Sequence, residues 1–326
     1  MTAQFEYQKQ KNKALLEKWC TEQFWTKDNR SVFFNEEATL DFPSAPPGMP
    51  QTMDCFDTML YFDWLERTTK SYSSTSDGIY GTTDPDVFWV IRDVNADVFW
   101  GQEPGTFTSR IFSRIEFSNG KINYIKSCWN SLKFLEAAGL HIPLFKMDLN
   151  DGRIMGYLAY EADGEPYEQP QLSADPEKVA DRILKGLELF TKPDYFTATA
   201  DFSGYAKDCE SVVWFLPPEM RETYTPTEMP YVEAWTLASC HSLNFSPNGR
   251  WWKTDEPGLY FAEYMCEGLV DWIGNNTSGA HYRNRYFYLI RFNQYGQIIR
   301  TEEVLNPINK FNSIGVSLPT FPYYYR

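Results

Sequence analysis

Glu302 and Glu303 stand side by side in the segment RTEEVLNP, near the C-terminal end of a chain of 326 residues. A strand turns successive side chains to opposite faces, so only one of two adjacent carboxylates can face a pocket. A carboxyl group in an aromatic pocket loses solvation, its pKa rises, and it can exchange protons near neutrality. On the residues alone, an acidic turn left in solvent is the commoner account of such a pair. Three histidines are present. His241 is a candidate acid/base group because imidazole titrates near neutrality, although a packed or capping histidine is the commoner case. His281, Arg283 and Arg285 occupy alternate positions of HYRNRYFYLIRF. On a strand they share one face and could grip a carboxylate. Charges on an edge strand also prevent sheet-to-sheet association, which is the commoner explanation.

The motifs of other chemistries are missing from the sequence. It holds no phosphate-binding glycine loop, dinucleotide fingerprint, nucleophile triad or metal-ligand cluster. Six cysteines are scattered without close pairs, which excludes a zinc knuckle or a CxxC redox motif and predicts reduced thiols. Acid/base chemistry without cofactor or metal is what remains. The formal charge of −14 argues against nucleic acid or an anionic membrane as partner, since both demand a basic surface. A small-molecule substrate is the expected partner. No apolar run is long enough to span a bilayer, and no apolar core follows the positive charges of MTAQFEYQKQKNK. A cytoplasmic location is therefore expected.

These residues must be positioned by two copies of one domain. GKINYIKSCWNSLKFLEAAGLHIP (120–143) and GQIIRTEEVLNPINKFNSIGVSLP (296–319) match at Gly120/Gly296, Ile122/Ile298, Asn130/Asn306, Gly139/Gly315 and Pro143/Pro319, a constant offset of 176 residues. Solenoid repeats run to roughly 20–50 residues, so a period this long indicates fused domains. The aromatic share of 17% supplies aromatic-lined cores or pockets. In the first copy, Leu15, Leu16, Trp19, Cys20 and Phe24 predict a helix over 5–25, and Met53, Phe56, Met59, Leu60 and Trp64 another over 51–69. Segment 31–43 reads as a short strand. The paired Asp-Val-Phe-Trp segments at 86–89 and 97–100 predict strands flanking a turn at Asp93–Asn95. Ser118-Asn119-Gly120 predicts a tight hairpin. In the second copy, Asp175-Pro176 opens a helix carrying Val179, Ile183, Leu184 and Leu187, and 225–246 holds another that reaches Cys240. Helices followed by long antiparallel strands give an α+β class, with domains at 1–146 and 173–326 joined by a linker at 147–172.

Several of these segments, YQKQKNKALLEKWC (7–20), DPDVFWV (84–90), FSRIEFSNGKI (112–122) and both NxxxxFxxxGxxxP tails, resemble the PhzA/PhzB family of phenazine-biosynthesis proteins. That family lies within the SnoaL-like and nuclear-transport-factor-2-like fold group. The resemblance spans nearly all of the first half and, in the second, is clear from about residue 281. It implies two tandem cone-shaped domains, each a curved antiparallel sheet wrapped on helices around a pocket. It also implies that the two halves pair as members of the family pair when they dimerise.

The resemblance further implies roles. A glutamate before the Asn-Pro step of the family's last strand is its acid/base group, and EVLNP places it at Glu303. The matching residue of the first copy is Ser127, which cannot do the same work; Asp57 is the alternative there. The family's helical histidine and serine fall on Met53 and Asp57, so that pair is absent, and in the second half His241 lands near the serine position. The implied activity is condensation, cyclisation or dehydration of a small cyclic or aromatic metabolite in secondary or antibiotic metabolism. The competing expectation is a non-catalytic binding or scaffolding protein.

Overall fold

The computed structural model describes residues 3–155, 172–189, 191, 204–217, 229–246, 250–275 and 277–323. The fold is α+β, with two six-stranded sheets each accompanied by helices. Two compact units divide the chain. The first holds Met1–Pro143 with Asn306–Ile308 and Leu318–Arg326; the second holds Leu144–Leu305 with Asn309–Ser317. Most of the expected linker, 156–171, lies outside the described residues.

In the first unit, α1 (Ala3–Thr21), α2 (Lys27–Phe33) and α3 (Cys55–Thr68) accompany β1 (Phe34–Asp41), β2 (Thr52–Met53), β3 (Thr69–Gly81), β4 (Val87–Val98), β5 (Gly105–Ser118) and β6 (Lys121–Cys128), and α4 (Ser131–Ala137) follows. The sheet order is β2-β1-β6-β5-β4-β3. Helix α1 buries Leu16, Trp19 and Cys20 as its spacing requires. Asp54 caps α3 by accepting from Asp57 N–H at 2.9 Å, and the helix buries Tyr61, Phe62, Trp64 and Leu65. The pairing is antiparallel throughout except that β1 runs parallel to β6, a departure from the all-antiparallel expectation. The segment taken as a strand from residue 31 begins as α2 and turns extended only at Phe34.

A second correction concerns Asp93–Asn95. No turn forms there, and β4 passes straight through. Arg92, Val94, Ala96 and Val98 are buried while Asp93, Asn95 and Asp97 are exposed, the alternation of one uninterrupted strand. The polar residues that suggested a turn are simply its outer face. The hairpin at Asn119-Gly120 forms as expected, both residues having positive φ (54° and 75°).

In the second unit, α5 (Pro176–Leu189), β7 (Tyr205–Trp214), α6 (Met229–Ser239), β8 (Cys240–Phe245), β9 (Arg250–Lys253), β10 (Leu259–Val270), β11 (Ala280–Phe292) and β12 (Ile298–Leu305) follow in order, with α7 (Ile308–Ser313) after them. The sheet order is β7-β12-β11-β10-β8, with β9 also on β10 and β7 parallel to β12. Helix α6 ends at Ser239, so the helix read through Cys240 is shorter and strand β8 takes its place.

The repeated Asn and Gly have a plain structural meaning. Asn130 Oδ1 accepts from Leu132 N–H at 3.1 Å and Asn306 Oδ1 from Ile308 N–H at 3.0 Å, so both asparagines start their helices. Gly139 (φ 74°) and Gly315 (φ 72°) end them, with Leu140 N–H donating to Leu135 O and Val316 N–H to Phe311 O, both at 3.0 Å. The motif is a helix with two caps, placed directly after the strand that carries Ser127 or Glu303.

Candidate functional site

In the second unit the inner face of β11 presents Tyr282, Asn284, Tyr286 and Tyr288 at alternate positions. Strand β12 runs antiparallel to it, with Glu303 opposite Tyr288. The Tyr288 hydroxyl donates to Glu303 Oε2 at 2.6 Å. Atoms crowd Glu303 closely enough to desolvate it, yet part of its surface remains accessible. Burial raises its pKa above the ordinary carboxylate range, against the opposing effects of the Tyr288 hydrogen bond and the positive field of Lys310. A carboxyl so placed holds its proton to higher pH than one in water and is suited to general acid/base work.

Lys310 comes from α7, its ammonium 4.3 Å from the ring centre of Trp272 and 5.7 Å from that of Trp235. Burial pulls its pKa down to about 8, with Glu303 pulling the other way. Trp235 and Trp272 stack at 5.3 Å. A polar ladder continues from the pair. The Tyr282 and Tyr286 hydroxyls lie 2.8 Å apart, Asn284 Nδ2 donates to Tyr282 at 2.8 Å, and Asn309 Nδ2 donates to Asn284 Oδ1 at 3.1 Å. Two thiols belong to the same interior. Burial pushes Cys240 up to about 12 and raises Cys266 further, so neither is a thiolate nucleophile at neutral pH.

Glu302 points to the other face. It accepts from Trp214 Nε1 at 3.0 Å and from Arg300 Nε at 3.1 Å, a structural ion pair whose carboxylate is buried and whose guanidinium is partly exposed. The two glutamates therefore separate as strand alternation requires. They sit within β12, however, and not in a turn beyond it.

The remaining predicted residues do not gather around Glu303. His241 lies on β8 and not on a helix, and its half-exposed ring meets Asp271 at 2.6 Å. His281, Arg283 and Arg285 do share a face, but it is the outer face of β11, opposite the tyrosines. His281 and Arg283 reach Glu267 at 2.9 and 3.8 Å, and Arg285 reaches Glu263 at 3.5 Å. Asp57 is half-exposed in the first turn of α3, where its charge suits the helix dipole, and it is not among the residues lining the first unit's cavity.

That cavity, of about 90 Å³, lies in the first unit. Its walls are mostly aromatic, and Ser127, Thr69, Tyr72 and Arg92 supply polar groups. Ser127 stands opposite Ser113 in the β5–β6 register, with their hydroxyls 2.7 Å apart. This is the same cross-strand position that Tyr288 and Glu303 fill in the second unit.

No family model matches the chain. Phenazine biosynthesis protein PhzB1 of Pseudomonas aeruginosa is 23% identical over 142 residues, covering 43% of this chain and 88% of that protein. The chain resembles the PhzA/PhzB group. Among solved structures, the phenazine biosynthesis-related protein phzb2 of P. aeruginosa matches with 19% identity and a TM-score of 0.40, covering 44% of this chain and 96% of that one. The epoxide hydrolase/cyclase-like enzyme SalBIII of pyran ring formation in salinomycin matches with 14% identity and a TM-score of 0.33, covering 38% and 94%.

Sequence reasoning missed Tyr288, Lys310 and Arg92. The tyrosine ladder was readable, since Tyr282, Asn284, Tyr286 and Tyr288 are the residues left over when His281, Arg283 and Arg285 are assigned to one face. Lys310 and Arg92 carried no signal of their own. Each is one charged residue in a mixed segment, VIRDVN or INKFNS, and only tertiary packing buries it.

No helix among the described residues is long and apolar enough to cross a membrane.

Proposed function

We propose that the second unit is a cofactor-independent acid/base catalyst of secondary metabolism, converting a small cyclic or aromatic metabolite by condensation, cyclisation or dehydration. The observation that carries this is Glu303, a desolvated carboxyl held by Tyr288 in an aromatic interior. Tyr288 fixes one carboxylate oxygen; among the described residues no hydrogen bond engages the other, which is the oxygen that would take a proton from the ligand and return it. Lys310 keeps a positive field on the same interior, which favours the ionised carboxylate between turnovers and an oxyanion forming on the ligand. Tyr282, Tyr286 and Asn284 supply hydroxyl and amide groups that orient a polar ring substituent. The likeness to PhzB1, named for phenazine biosynthesis, supports the metabolic assignment. The six cysteines, all free, fit a cytoplasmic protein.

The test is mass spectrometry of small molecules released from protein purified from its native host, with Glu303→Gln alongside. A metabolite that the wild type converts and the variant merely retains is the expected result, with turnover lower by about 10²–10⁴-fold. A ligand held unchanged by both proteins would make this a carrier. The second reading, a binding role, has one observation in its favour: in the first unit Ser113 and Ser127 stand where Tyr288 and Glu303 stand in the second, so that unit lacks the acid/base carboxyl.

A further inference from the structure

Among the described residues Lys9, Lys126 and Lys310 are buried, and the first two have polar partners. Lys9 donates to Thr82 O, and Lys126 pairs with Asp41 at 3.3 Å. Lys310 differs. It is 6% exposed, and among the described residues no hydrogen bond or ion pair engages its ammonium. The charge rests on the Trp272 ring at 4.3 Å. A ring face attracts a cation but holds no proton, so this amine can lose one without breaking a hydrogen bond.

Glu303 on β12 and Lys310 on α7 act on each other's titration, yet no ion pair joins them. Part of the Glu303 surface also stays accessible. A carbonyl group placed between the two would meet a nitrogen on one side and a proton donor on the other. The remaining nucleophiles of this interior are held in their protonated forms. Burial keeps Cys240 at about 12 and Cys266 higher, and it raises Tyr282 and Tyr286 well above the ordinary phenol range. Lys310 is instead brought down to about 8, where a large share is neutral amine with a free lone pair.

We propose that Lys310 is a nucleophile that captures small aldehydes or ketones as a covalent imine, with Glu303 moving the protons. The step balances without an oxidant or a cofactor. Nζ attacks the carbonyl carbon, a C–N bond forms, and the carbonyl oxygen takes the proton of the Glu303 carboxyl. The carboxylate then removes a proton from nitrogen and returns it to the new hydroxyl, which leaves as water while the C=N bond forms. Amine, carbonyl and carboxylic acid thus become iminium, carboxylate and water. The iminium keeps a positive charge where the ammonium had it. The proposal rests on the reading that ligands enter the second interior, and it adds an activity to that reading. A ligand without a carbonyl meets only the acid/base groups already described.

The test is incubation of the full chain with benzaldehyde, or with acetaldehyde as the smaller probe, in the presence of sodium cyanoborohydride. The reductant fixes an imine as a stable amine, and peptide mass spectrometry locates it. Near neutral pH, Lys310 should be labelled about tenfold or more faster than the exposed Lys133 and Lys185. Its labelling should level off just above pH 8, while that of the exposed lysines climbs towards about pH 10. Lys310→Met should lose this label and keep that of the exposed lysines. Glu303→Gln should label Lys310 about tenfold more slowly. Loss of the carboxylate charge alone favours the neutral amine, so a slower rate reports the proton transfer. An unchanged rate in that variant, with Lys310 still labelled, would remove Glu303 from the step and leave the nucleophile in place. Lys310 labelled by neither aldehyde faster than Lys133, or only after unfolding, overturns the proposal.

Discussion

The same cross-strand position holds two serines in one unit and a tyrosine with a glutamate in the other. Ser113 and Ser127 face each other at 2.7 Å; Tyr288 and Glu303 do so at 2.6 Å. The frame around them is equally conserved in geometry. Trp64 stacks on Trp100 at 5.5 Å, and Trp235 on Trp272 at 5.3 Å. What lies over the second indole differs: Phe134 at 4.0 Å in the first unit, the Lys310 ammonium at 4.3 Å in the second. Along the aligned strands DPDVFWVIRDV and EPGLYFAEYMC, Arg92 of the first corresponds to Tyr264 of the second. The first interior therefore holds a cation without a carboxylate, and the second a carboxylate with a cation. One scaffold tolerates opposite electrostatics because the caps, hairpins and indole stacks that build it lie outside the few inward positions that differ.

Lys310→Met breaks this contrast most directly, since it makes α7 apolar as α4 is at Phe134. The pKa of Lys310 is depressed from 10.5 to about 8, so the unfolded chain binds more protons than the folded one between those values. Stability should rise with pH across that window, and the contribution is lost as pH falls through about 8. At neutral pH the buried ammonium then costs on the order of 3 kcal/mol. The methionine variant should be more stable at pH 7 by up to that amount, with a flatter dependence between pH 8 and 10.5, as read by denaturant unfolding. Removing the positive field also raises the pKa of Glu303 further, so the acid limb of any pH–rate profile should move to higher pH. A variant of unchanged stability and unchanged profile would show that the ammonium lies outside the interior.

How much of this was legible follows from which forces act locally. The caps Asn130, Gly139, Asn306 and Gly315, the Asn119-Gly120 hairpin and the period of α1 are local, and each was readable. Glu303 was reached through its motif, and strand alternation then separated it correctly from Glu302. The false turn at Asp93–Asn95 arose because polar residues on the outer face of a strand look like loop residues when read one after another. The histidines and arginines of β8 and β11 drew notice as rare or charged types, whereas the working positions are tyrosines between them. Arg92 and Lys310 could not be found locally, because burial of a single charge is decided by distant packing.

A finer test compares the indole stacks. Trp272 Nε1 donates to Ser313 at 2.8 Å, while Trp100 Nε1 is buried without a partner. Replacement by phenylalanine removes similar volume at both sites, but only in the second does it take a donor from a serine oxygen, whose hydroxyl keeps its bond to Lys310 O at 2.7 Å. Trp272→Phe should therefore cost about 1 kcal/mol more than Trp100→Phe in thermal or denaturant unfolding. Equal losses would indicate that the Trp100 indole finds a partner in solution, such as a bound molecule in the cavity it lines.

The smallest effect is expected on the outer face of β11. His281 and Arg283 are 60% and 64% exposed, and their shared partner Glu267 is 53% exposed. Exposed pairs of this kind contribute roughly 0–1 kcal/mol, screened further by salt. His281→Ala and Arg283→Ala should leave stability within about 0.5 kcal/mol of wild type and should leave turnover of the native ligand unchanged. The reason is geometric. Substitutions at 281 and 283 act on the face opposite Tyr282, Asn284, Tyr286 and Tyr288, so they cannot reach the interior without a change of strand register. A tenfold loss of ligand affinity in either variant would place the ligand on the outer face, and the difference between the two interiors would then no longer carry the function.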